Sequence, residues 1–88
     1  MTVSVLQLTR GPDKGDLLRA IQQPGLSTTF DTPSGAIEAT IEKIEEQGLE
    51  GLDFTLWGRL QSTDLRGAYF TASYSCESRT GRLALKKA

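Results

Sequence analysis

The chain contains no histidine and a single cysteine, Cys76. The missing imidazole removes Ser-His-Asp and Cys-His catalysis, histidine-ligated zinc and the commonest acid–base group near neutral pH. Cys76 stands among Ser75, Glu77 and Ser78, with no base beside it. A neighbouring carboxylate raises a thiol pKa, so the local sequence describes an unreactive thiol. No acidic loop has calcium-ligand spacing, and a zinc site would need Cys76 with carboxylates, an uncommon ligand set. The loop Gly11–Asp16 lacks the spacing of a phosphate-binding loop, and its Asp13 and Asp16 would repel an anion. These residues predict no catalytic group, no metal and no cofactor, and hence a non-enzymatic protein.

What remains is chemistry of recognition. Trp57, Arg59, Tyr69, Thr71 and Arg82 fall at alternating positions in the last third of the chain, with Arg66 in a turn between them. A Trp beside Tyr and Arg is the composition of a protein-binding hot spot. Aromatic rings for base stacking with guanidinium groups for phosphate would also suit single-stranded nucleic acid. A second group, Glu38, Glu42, Glu45 and Glu46, would form an acidic flank on a helix. Like charges at i, i+4 and at the helix C-terminus do not help local stability. That flank suggests docking on a basic partner, including inhibition of a nucleic-acid-binding protein.

The elements that must position these groups follow from pattern and punctuation. Thr2–Arg10 reads as a strand, Asp16–Gln23 as a short helix capped near Asp16 and ended by Pro24-Gly25, and Leu26–Asp31 as a short strand. Ile37, Ile41 and Ile44 at i, i+4, i+7, after Thr32 and Pro33 and before Gly48, predict an amphipathic helix over 33–47. From Asp53 the apolar period becomes two. Phe54, Leu56 and Leu60 alternate with Thr55, Trp57 and Arg59; Ala68, Phe70, Ala72, Tyr74 and Cys76 alternate with Tyr69, Thr71 and Ser73. Strands are expected over 53–62, 67–77 and 80–86, with turns at 63–66 and 78–81.

A turn about Asp64 pairs Phe54 with Tyr74, Leu56 with Ala72, Leu60 with Ala68, Trp57 with Thr71 and Arg59 with Tyr69. A one-residue slip would put Leu against Thr, so this register is strongly specified. The second turn is expected to set Tyr74 against Leu85 and Cys76 against Leu83. The fold class predicted is α+β: one small domain over 1–88 in β-α-β-α-β-β-β order. Its C-terminal three-stranded antiparallel meander would be covered by the isoleucine helix.

Composition sets the outer limits. Eighty-eight residues, 38% apolar and 24% charged, suit one globular domain. No apolar run nears the roughly 18–20 residues of a membrane span, and residues 1–9 do not resemble a signal peptide. With one cysteine no internal disulfide forms, so a cytoplasmic location is expected. Residues 1–56 carry four basic and nine acidic side chains, and residues 57–88 six basic and two acidic. The pI of about 5.3 and the lack of a dense basic run place nucleic acid second. The leading expectation is a protein-binding, adaptor or regulatory module able to form homodimers through the Trp57 face or an exposed sheet edge.

Overall fold

The computed structural model describes residues 4–61 and 68–86. Its elements are β1 (Ser4–Leu8), α1 (Lys14–Gln22), β2 (Ser27–Thr32), β3 (Gly35–Gln47), β4 (Asp53–Leu60), β5 (Tyr69–Ser75) and β6 (Thr80–Lys86). All six strands form one antiparallel sheet in the order β1-β6-β5-β4-β3-β2. The sheet curls until its two edge strands meet. Arg10 bridges Asp31, with Thr9 N–H donating to the Asp31 carbonyl at 2.8 Å and Asp31 N–H to the Arg10 carbonyl at 2.7 Å. The edge strands join at this one bridge, so the exposed edge expected unless the N-terminal strands cover it is closed there and not along its whole length.

The predicted helix over 33–47 is instead β3, and the element order is β-α-β-β-β-β-β. Thr32 and Pro33 do not cap a helix. Pro33 and Ser34 form the turn of the β2–β3 hairpin, where a fixed proline φ is equally at home. The Thr32 hydroxyl donates to the Gly35 carbonyl at 2.7 Å and accepts from Ser34 N–H at 3.2 Å. Gly35 supplies the positive φ of 123°. The isoleucine spacing has its own cause. Ile37, half-buried, and the buried Ala39 and Ile41 alternate inward as in any strand; a β-bulge between Ile41 and Lys43 then adds one residue, Glu42. The bulge reverses the parity, so Ile44 comes back to the inner face opposite Leu56. An inner set at 37, 41 and 44 is therefore common to a helix stripe and a bulged strand. The β-branched content favours the strand.

The β4–β5 register is the expected one: Phe54 faces Tyr74, Leu56 faces Ala72, Trp57 faces Thr71 and Arg59 faces Tyr69. Leu60 N–H donates to the Ala68 carbonyl at 2.9 Å, in agreement with that pairing. The turn at 63–66 lies outside the described residues. The β5–β6 register is corrected: Tyr74 faces Gly81, Ala72 faces Leu83 and Phe70 faces Leu85. The turn spans Cys76–Arg79, closed by Ser75 opposite Thr80, with Arg79 left-handed at φ 59°. Cys76 thus leaves the ladder, and its N–H donates to the Leu52 carbonyl at 2.7 Å. The slip is even, so the inward set is unchanged.

The inside of the curl is packed with side chains. Leu8, Phe30, Leu56, Leu60, Phe70, Ala72, Tyr74, Leu83 and Leu85 are buried, joined by Leu17 and Ala20 of α1. Each fully buried large apolar side chain contributes about 1.5–3 kcal/mol. Helix α1 is capped by Asp13, not Asp16: the Asp13 carboxylate accepts from Asp16 N–H at 2.8 Å. Two glycines make the tight curl possible. A Cβ on Gly58 would lie 2.0 Å from the Thr40 carbonyl oxygen and 3.0 Å from the Phe70 ring; one on Gly81 would lie 2.1 Å from the Ser73 carbonyl oxygen. Their register partners are the aromatics Phe70 and Tyr74, so small and large alternate across the interior.

Candidate protein-docking wall

The outer face of the curled sheet presents side chains in rows across the strands. One row reads Lys43, Trp57, Thr71, Ala84 and Val5 from β3 to β1. The next contains Thr40, Arg59 and Tyr69. On the other side Glu45, Thr55, Ser73, Arg82 and Gln7 follow. Trp57, Arg59, Tyr69 and Thr71 therefore stand together as expected. Arg82 is on the same face, one row and two strands from Trp57. Arg66 lies outside the described residues.

Cations hold the aromatic rings in place. Lys43 Nζ sits 4.8 Å from the centre of the Trp57 ring, and Arg59 Cζ 4.5 Å from that of Tyr69. Glu42 completes the chain with an ion pair to Arg59 Nε at 3.2 Å. Each contact is worth only about 0.5–1 kcal/mol or less at exposed sites. Their effect is to restrict rotamers. Tyr69 is 48% exposed and Val5 60%, while Trp57 is half-buried.

The bulge builds this arrangement. In uninterrupted alternation Lys43 would point inward with Ile37, Ala39 and Ile41. The extra residue turns Lys43 outward opposite Trp57 and leaves Glu42 beside Arg59. Lys43 was not legible as a site residue because the sequence pattern places it on a helix. The acidic flank is corrected for the same reason. Glu45 and Glu46 alternate on β3 and point to opposite faces, Glu42 is paired with Arg59, and Glu38 lies opposite Thr29 of β2. Glu38, Glu42 and Glu45 lie on the outer face of the strand and Glu46 on the opposite one, so the four do not form one helical flank.

Cys76 is half-buried and packed against the core. Burial pushes its thiol pKa up, with Lys14 pulling down and Asp13 and Asp53 pushing up. Tyr74 is 3% exposed, and its hydroxyl donates to the Pro12 carbonyl at 2.5 Å. Burial first, then the charge of Cys76, pushes the phenol up to about 12, while Arg79 pulls down. An acid with a raised folded value loses stability as pH rises. The unfolded phenol ionises from about 10 and the folded one only near 12, so the unfolded state holds fewer protons between them. Stability is expected to fall by about 2–3 kcal/mol across that window. Tyr74→Phe should flatten this alkaline slope in urea melts, at a cost near neutral pH of about 1–3 kcal/mol from the orphaned Pro12 carbonyl.

Among the described residues no three Asp, Glu or Cys side chains gather as metal ligands, and no helix is long and apolar enough to cross a membrane. Comparison with protein-family models, with curated proteins and with solved structures returns no match.

Proposed function

We propose that the protein is a non-enzymatic binding module that docks a protein partner on the outer wall of β3, β4, β5 and β6. The observation that carries this is the Lys43–Trp57 and Arg59–Tyr69 pairs, side by side on one exposed wall with Glu42 fixing Arg59. Trp, Tyr and Arg are the residue types that dominate protein interfaces, and restrained rotamers lower the ordering cost of binding. Thr71, Ala84 and Val5 continue the same row across β5, β6 and β1.

Single-stranded nucleic acid is less well supported. One face of each ring is already covered by the chain's own cation, which competes with base stacking. Glu42 and Glu45 stand on the same wall and would meet phosphates unfavourably. Inhibition of nucleic-acid machinery by an acidic helix flank is less well supported, because the carboxylates are carried by a strand, Glu42 is paired with Arg59 and Glu46 turns away from Glu45.

The experiment is affinity capture from native lysate with wild type, Trp57→Ala and Tyr69→Ala, each checked for an unchanged melting temperature. Sedimentation of the purified chain tests in parallel whether the partner is a second copy. Truncating either ring is expected to weaken binding by about 30-fold or more, the equivalent of about 2 kcal/mol. Capture and self-association insensitive to both variants would reject the docking wall.

A further inference from the structure

A different surface, independent of the docking wall, lies where the sheet edges meet. The loop after β1, helix α1, the start of β2 and the β5–β6 turn enclose a cleft of about 480 Å³. That volume is within the range of small-molecule sites. Arg10, Arg19 and Arg79 reach it from three separate parts of the chain, together with Asp16, Asp31 and Thr28.

The three guanidinium groups are not equivalent. Arg79 is anchored, its Nε donating to the Gly11 carbonyl at 2.8 Å, and its backbone is left-handed, an uncommon state for a side-chain-bearing residue. Its remaining N–H groups are thereby held in place at little further entropic cost. Arg19 faces Asp16 at 3.9 Å, a long and exposed contact. Among the described residues the ion pairs are Arg19–Asp16 and Arg59–Glu42, which leaves Arg10 and Arg79 without a carboxylate partner. The sequence expects Asp13 and Asp16 to repel an anion here. In the fold Asp13 caps α1 and Asp16 stands against Arg19, so the local balance favours an anion.

The geometry points to this cleft as a binding site for a small hydroxyl-bearing phosphate monoester, its phosphate taken by Arg10 and Arg79. Guanidinium groups arriving from separate elements suit a dianion whose oxygens accept from several directions. Asp31 and the largely buried residue Thr28 line the rest of the cleft and suit the hydroxyl groups of the organic part. The cleft is also much larger than a bare phosphate ion.

The test is an amide chemical-shift titration of the full chain with ribose 5-phosphate, glycerol 3-phosphate and adenosine monophosphate. Ribose and inorganic phosphate run as parallel arms. Saturable shifts confined to residues 10–12, 27–31 and 79 are expected with at least one ester, at least about tenfold tighter than with inorganic phosphate. Arg10→Gln should weaken that binding by about tenfold or more, while Arg82→Gln on the outer wall leaves it intact. Arg79→Gln, followed with its melting temperature, is the second variant, since Arg79 also holds the Gly11 carbonyl. No saturable shift with any ester up to about 10 mM would overturn the site. So would inorganic phosphate binding as tightly as the esters, or an Arg10→Gln affinity equal to wild type.

Discussion

Gly58→Ala is expected to abolish cooperative folding. The added methyl would sit 2.0 Å from the Thr40 carbonyl oxygen, a backbone atom that cannot swing aside, and 3.0 Å from the Phe70 ring. Relieving that clash means parting β3 from β4 beside the bulge. Overpacking a core costs typically about 1–3 kcal/mol when side chains can adjust. Here the neighbour is main chain, so a loss above about 4 kcal/mol is expected, close to the whole stability of a small domain. Gly25→Ala is the control. Its φ of 88° disfavours a side chain, but nothing lies within 4 Å, and a cost of about 1–2 kcal/mol is expected. Urea melts followed by far-UV circular dichroism separate the two; a Gly58→Ala protein melting like wild type would refute the close approach of β3 to β4.

Phe30→Ala carries the second large effect. Phe30 is fully buried on β2, one residue before the Asp31 bridge to Arg10, and meets the Tyr74 ring edge-on at 5.8 Å. A Cβ on Gly11 would lie 3.0 Å from the Phe30 ring, so the loop after β1 rests directly on it. Truncation removes the support under the junction of the two sheet edges and should cost about 3–5 kcal/mol. Phe30→Leu keeps most of the volume and should cost less than about 1.5 kcal/mol. Amide exchange gives a local readout: Thr9 and Asp31, which bond across the junction, should lose protection in Phe30→Ala before the β4–β5 amides do. Uniform loss of protection would show that the junction is not a separate weak point.

The sequence carries the β4–β5 strand register, because apolar and polar side chains alternate along both strands and a slip would bury threonine. Trp57, Arg59, Tyr69 and Thr71 are legible as one face for the same reason. The segment 35–47 was not legible as a strand. One bulged residue, Glu42, converts a period of two into an i, i+4, i+7 series, and Thr32, Pro33 and Gly48 serve hairpins as well as helix ends. Lys43 was hidden by that ambiguity, since its contact with Trp57 exists only once the bulge is known. The β5–β6 register was missed because Arg79, with no glycine to announce it, adopts the left-handed turn conformation. The arginine cleft leaves no local signal at all: Arg10, Arg19 and Arg79 come together only when the sheet curls closed.

The docking wall is tested most directly by an amide chemical-shift map of the labelled protein with its captured partner, or by concentration dependence if the partner is a second copy. Shifts centred on Lys43, Trp57, Arg59, Tyr69 and Thr71, and lost in Trp57→Ala, are the predicted result. Shifts centred elsewhere on the molecule, with those five amides unmoved, would contradict it.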